Sequence, residues 1–231
     1  MSGKQDAAQQ ATSKKTIALL DAKNGRIGHK PKGSPYAHFC NREAIRDFAR
    51  KPGIIGVDLD TQPNKEGTPF VHHQAHPTKN DAWFDPQHKI NDSHHCRTLD
   101  DAQMHRLRVR YQGKDRPILT AHQAAGFCLT VRGGPLVPCF EAKGQDRRYL
   151  DPDWWFEKFV RGWDAKLQPV IMTLPGTGGG SVGLNKLEAA HEVGLPTMWL
   201  WRGKTAVTES QAFRDAVDLV KSRPGRGIYR V

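Results

Sequence analysis

The sequence predicts one α/β domain with parallel strand pairing, a barrel rather than an all-helical bundle. Three observations carry that expectation. Short apolar runs alternate with amphipathic stretches along most of the chain, which is the pattern of strand, helix, strand units. Several of the apolar runs end in carboxylates or histidines, as strands of a barrel do when they deliver side chains to one face. A length of 231 residues is enough for one substantial core.

Taken in order, Met1–Lys15 has polar residues where a signal peptide would need its apolar centre and reads as a flexible arm. Residues 16–231 are expected to form the single domain. Thr16–Leu20 is a short apolar segment, and Arg26–His29 is a strand giving way to the proline-containing Lys30–Pro35. Asn41 caps a helix over Arg42–Ala49, stopped by Lys51-Pro52-Gly53. Ile54–Asp60 is the next strand, a turn follows at Pro63–Gly67, and Phe70-Val71 opens another strand that ends at His72-His73. Residues 74–98 form a long histidine-rich loop around Trp83-Phe84, of the length that often serves as a lid or binding loop.

Leu99–Val109 reads as a helix, and Thr120 caps a further helix through Cys128. Pro135–Phe140 is a strand ending at Glu141, and Asp153 is the expected cap of a helix over Trp154–Gly162. Pro169–Leu174 and Pro196–Trp201 are strands flanking a helix over Leu184–Val193 that Gly194 ends. Ser210–Val220 is a last amphipathic helix and Gly227–Val231 a closing strand. The glycine cluster Gly176–Gly180 lacks the Gly-Lys-Ser/Thr of a nucleotide-binding P-loop and reads as a loop.

Composition narrows the partners. Hydrophobic residues at 37% and charged residues at 26% suit a soluble globular chain, and no run of apolar residues is long enough to span a bilayer. A cytoplasmic location, or a place in a larger assembly, is expected. The net charge of +11 favours anionic partners: phosphorylated small molecules, an anionic lipid surface or nucleic acid. No nucleic-acid module accompanies the scattered basic clusters, which makes nucleic acid the weakest of the three. Cys40, Cys96, Cys128 and Cys139 are widely spaced and are expected to be reduced thiols.

The chemistry concentrates at strand ends. Asp58 and Asp60 are two residues apart and point the same way, so they would repel unless a cation or donors compensate them. Glu141 and Lys143 repeat that spacing, and His73 adds an imidazole. Together these are the parts of a metal-assisted acid/base site. His72, His73, His76, His94, His95 and Cys96 are a weaker zinc candidate, without finger-like ligand spacing. Trp199 and Trp201 share a strand face and form either a pocket wall or ordinary core.

Those segments resemble the glycerophosphodiester phosphodiesterase family, within the barrel phosphodiesterases. Gly28-His29-Lys30, Asp58-Leu59-Asp60, Lys65-Glu66-Gly67, Phe70–Gln74, Phe140–Lys143 and Ala190–Trp201 match its motifs in order. The resemblance implies a TIM-type parallel barrel, here reduced to seven recognisable strands or irregularly closed. It implies His29 and His73 as the acid/base pair, with Asp58, Asp60 and Glu141 holding Mg2+ or Ca2+. Lys143 and Lys30 would lie near the phosphate, and Trp199 and Trp201 would line the substrate site. Asp58 stands where the family has glutamate, Lys30 where it has arginine, and Gln74 where it has aspartate. The expected activity is metal-dependent cleavage of a small or lipid-derived phosphodiester, by hydrolysis or by intramolecular transfer. A non-catalytic anion-binding or structural protein that keeps the barrel is the alternative, and a nucleic-acid phosphodiesterase the weaker one.

Overall fold

The structure, a computed structural model, describes residues 16, 26–28, 41–79, 82–131, 136–161, 163, 169–173, 180–201 and 226–230. The chain divides into two compact units, Gly25–Asp146 and a second formed by Met1–Asn24 with Arg147–Val231. The arm, all of Thr16–Leu20 except a buried, helical Thr16, the glycine cluster before Gly180 and the Ser210–Val220 helix lie outside the described residues. Among the described residues no helix is long and apolar enough to cross a membrane.

The unit Gly25–Asp146 contains β1 (Arg26–Gly28), α1 (Arg42–Ala49), β2 (Ile54–Pro63), β3 (Pro69–Val71), α2 (Asp101–Arg106), β4 (Arg108–Tyr111), β5 (Lys114–Pro117), α3 (Ala121–Thr130) and β6 (Val137–Ala142). Strand β2 is central, pairing in parallel with β1 and with β6. Its far end turns back through Asn64–Thr68 and pairs antiparallel with β3. The Asn64 carboxamide fixes that turn by accepting from the Glu66 and Thr68 backbone N–H groups, and Gly67 takes φ 80°, a backbone state in which glycine has no Cβ penalty.

Helix α1 starts where expected, because the Asn41 side chain accepts from the Glu43 and Ala44 N–H groups, each at 3.1 Å. It buries Ala44, Ile45 and Phe48, and each large apolar side chain so buried is worth about 1.5–3 kcal/mol. Phe48 packs against the end of β1 so closely that a Cβ on Gly28 would lie 2.5 Å from its ring. Glycine is therefore needed immediately before His29 for packing.

The helix expected over Leu99–Val109 is cut short. Only Asp101–Arg106 is helical, with an Asp100–Gln103 capping box, and Arg108–Tyr111 instead pairs with Lys114–Pro117 as a hairpin. Gln112 and Gly113 both have positive φ, 51° and 73°, the backbone of a tight hairpin turn matched to strand twist. The single buried residue of β4 is Val109, between exposed or half-buried arginines, so the alternation has the strand period of two. Helix α3 begins at the Thr120 cap, with Gln123 completing a capping box.

The second unit contains α4 (Pro152–Trp155), β7 (Val170–Thr173), α5 (Gly180–Glu192), β8 (Thr197–Trp201) and β9 (Arg226–Arg230), with β7–β8 and β8–β9 parallel. The cap of α4 is Asp151, not Asp153: Pro152 occupies the first turn, and the Asp151 carboxylate accepts from the Asp153 N–H. The helix then widens into a π-turn over Phe156–Val160. Tyr149, Trp154, Trp155 and Phe159 pack ring against ring beneath it. Helix α5 begins four residues earlier than the sequence pattern suggests, and Gly194 with φ 84° follows it. Among the described residues the parallel run of each unit does not close on itself, in keeping with a reduced or irregularly closed barrel.

Candidate active site

Register in β2 and β6 assembles the site. Asp58 lies opposite Cys139 and Asp60 opposite Glu141, so the even positions of β2 and the odd positions of β6 share one face. Asp58, Asp60 and Glu141 each offer a carboxylate oxygen, and these oxygens all lie within 4.8 Å of one another. Asp60 and Glu141 are buried, and Asp58 is half-buried. The chain of β6 continues alongside β2, with the Lys143 N–H donating to the Thr61 carbonyl. That brings the Lys143 ammonium to 2.6 Å from Glu141 Oε1 and 3.2 Å from Asp60 Oδ1.

The charges are strongly linked. Burial, then the neighbouring Asp60 charge, holds the Glu141 carboxyl above the usual range, against the pull of Lys143. Burial lowers Lys143, but the charges of Asp60 and Glu141 outweigh it and its ammonium is held above the usual lysine value. A donor set made only of carboxylate oxygens fits a hard divalent cation such as Mg2+ or Ca2+. Lys143 already supplies positive charge at the same oxygens.

The antiparallel ladder places Thr61 opposite Val71, so the chain leaving β3 runs beside the Asp60 end of β2. His73 lies there. Its carbonyl accepts from Gln62 Nε2 at 2.6 Å, and its Nδ1 is 2.9 Å from Gln74 Nε2. The adjacent His72 has a different character: it is fully buried, donates from Nδ1 to the Gln74 carbonyl, and is pushed by burial down to about 4. It is a neutral core histidine. His72 extends the fully buried run of β3, whereas His73, one residue further from the strand, is half-buried.

His29 and Lys30 lie outside the described residues, directly after β1. Trp199 and Trp201 are in β8, opposite Ile228 and Arg230, and their side chains lie outside the described set. Among the described residues, the group that could hold a metal is the carboxylate trio and not the histidine and Cys96 alternative. Cys96, Cys128 and Cys139 are buried, and the Cys96 thiol lies 3.8 Å from Gln62 Oε1. Gln62 is the functional neighbour that sequence reading missed. Its signal was available, since Gln62 continues the same-face series Asp58, Asp60 and is buried like Asp60.

The loop over residues 74–98 is held by Asp85. Its carboxylate accepts from the Gln87, Lys89 and Ile90 N–H groups and pairs with Arg106. Burial raises that carboxyl, yet the backbone donors and Arg106 together hold it below the usual range. The loop also buries Trp83, Ile90 and Cys96, so it is packed structure.

Comparison with solved structures decides the fold. A phosphodiesterase from Oleispira antarctica, solved with the product sn-glycerol-3-phosphate, aligns with a TM-score of 0.56 at 13% identity over 80% of this chain and 67% of its own. The chain has the glycerophosphodiester phosphodiesterase-like fold. A glycerophosphoryl diester phosphodiesterase candidate from Silicibacter pomeroyi gives a TM-score of 0.52 at 15% identity, covering 78% of this chain and 73% of that one. One from Galdieria sulphuraria gives 0.52 at 14% identity, covering 77% and 63%. The chain thus spans about two thirds of the length of these structures. No family model and no curated protein matches the sequence. At such identities the likeness is one of fold, and it agrees with the barrel that the strand and helix order predicts.

Proposed function

We propose that the protein is a metal-dependent phosphodiesterase acting on a small or lipid-derived phosphodiester such as a glycerophosphodiester. The observation that carries this reading is the convergence of Asp58, Asp60, Glu141 and Lys143 at two adjacent strand ends. The fold and the bound product of its Oleispira antarctica neighbour support it.

Asp58, Asp60 and Glu141 would hold Mg2+ or Ca2+, which would supply electrostatic stabilisation of charge developing on a phosphoryl oxygen. Lys143, anchored on Glu141 and Asp60, adds a second positive charge beside that oxygen, and Lys30 is assigned to the same anion. His73 and His29 are assigned proton transfer, one taking the proton of the attacking hydroxyl and the other protonating the leaving oxygen. Gln74, at 2.9 Å from Nδ1 of His73, orients the ring where the family has a carboxylate. Trp199 and Trp201 are assigned to the substrate's apolar portion, and residues 16–231 to one functional barrel.

The test is turnover by the purified protein with Mg2+ or Ca2+ against glycerophosphodiesters, lysophospholipids, cyclic phosphates and single-stranded nucleic acid. Activity on a small diester that falls about 10²–10⁴-fold in both H29A and H73A, with each variant folded, is expected. Turnover only on nucleic acid would replace this reading with a nuclease. Specific anion binding without any turnover would establish the non-catalytic alternative.

A further inference from the structure

Helix α1 and its C-cap residue carry arginines at positions 42, 46 and 50, a spacing of four that puts all three on one face. Successive members are separated by about 6 Å along the axis. Together with Phe127, Thr130 and Val131 from the end of α3, they line an open cavity of about 410 Å³. That volume is within the usual range for small-molecule sites. No carboxylate lines it.

The acidic residues of α1 are engaged mainly elsewhere. Glu43 pairs with Arg116 at 3.0 Å, and Asp47 accepts from the Tyr111 hydroxyl and Gln112 amide. Asp47 reaches only Arg50, at a long 3.7 Å. Among the described residues neither Arg42 nor Arg46 has an ion-pair partner within salt-bridge distance. The Arg42 guanidinium lies 4.7 Å above the centre of the Phe127 ring, so one wall of the cavity is an aromatic face with a cation laid over it. A cation in the first turn of a helix also opposes the helix dipole, so helix stability does not account for Arg42.

We propose that this cavity is a second anion site, separate from the strand-end carboxylates, that binds a nucleoside di- or triphosphate. The row of planar guanidinium groups suits successive phosphate groups, each able to accept paired N–H donors. The Arg42–Phe127 stack supplies a flat surface for a heteroaromatic base. The shared chemistry with inorganic polyphosphate is the phosphate chain, and the aromatic wall favours the nucleotide.

Calorimetric titration with ADP, tripolyphosphate and inorganic phosphate tests the proposal, in EDTA to remove metal-mediated binding at the carboxylates. ADP is expected to bind at one site, at least about tenfold more tightly than inorganic phosphate and more tightly than tripolyphosphate. R46Q should weaken ADP binding by about tenfold or more, the loss expected for one charge-assisted contact. F127L, which keeps the apolar volume and removes the ring, should weaken ADP binding while leaving tripolyphosphate binding unchanged. Circular dichroism confirms that both variants fold. ADP affinity unaltered in R46Q, or tripolyphosphate binding as tightly as ADP, overturns the proposal. Because no metal is present, this outcome is independent of whether the strand-end site cleaves a phosphodiester.

Discussion

Replacing Lys143 by methionine keeps the volume of the side chain and removes its charge. In the parent the ammonium contacts both Glu141 and Asp60, with only 15% of the lysine side chain exposed. The variant leaves two buried carboxylates facing each other, and removing one partner of a buried ion pair typically costs about 3–5 kcal/mol. Lys143 has two such partners, but some solvent reaches the site and the Glu141 carboxyl, already held above the usual range, can take up a proton, so a loss of about 3 kcal/mol is expected at neutral pH in EDTA. A divalent cation should reverse much of it, since a ligand at a hundred times its Kd stabilises by about 2.7 kcal/mol. Urea unfolding of K143M and parent, followed by circular dichroism with EDTA, MgCl2 or CaCl2, measures both effects. Equal stability of the two proteins in EDTA, or a variant that neither cation stabilises, would refute the charge balance described for the site.

His72 predicts a pH dependence. Its pKa is depressed by burial to about 4, while an unfolded histidine titrates near 6.5, so the unfolded chain takes up the proton first. The neutral side chain's contribution is fully present above about pH 6.5 and is lost as pH falls towards 4, by up to about 3 kcal/mol. Denaturation from pH 7 to 4 should show a shallower decline for H72F than for the parent, and identical slopes would contradict the assignment. D85N should loosen the long loop, because an amide offers one acceptor oxygen where the carboxylate receives three backbone N–H groups and Arg106. Hydrogen exchange at residues 87–90 should accelerate, with a stability loss of about 1–3 kcal/mol. Unchanged protection there would show that Trp83 and Ile90 alone hold the loop.

The carboxylate trio was legible because spacing along a strand fixes direction: Asp58 with Asp60, and Glu141 with Lys143, needed only a period of two and parallel pairing to meet. Asn41 and Thr120 were equally legible, since a cap acts within three residues of itself. Leu99, Met104 and Leu107 have helical spacing and are all buried, yet only part of that stretch is helical. The Gln112-Gly113 turn and its cross-strand partners outweighed local propensity from Arg108 onwards. Asp153 lost the cap to Asp151 because Pro152 prefers the first helical position. The role of Asp85 depends on the path of a loop without period, and the cavity beside Arg46 depends on how α3 packs. Neither follows from spacing alone.

The proposed metal-dependent phosphodiesterase activity rests on Asp58, Asp60 and Glu141. It is tested most directly by measuring glycerol phosphate release from a glycerophosphodiester by the parent and by D60N, each in EDTA and with Mg2+ or Ca2+. Turnover by the parent only with a divalent cation is expected, with a loss of about 10²-fold or more in D60N that excess cation does not restore. Turnover by the parent in EDTA at the metal-supplemented rate, or a folded D60N as active as the parent, would contradict it.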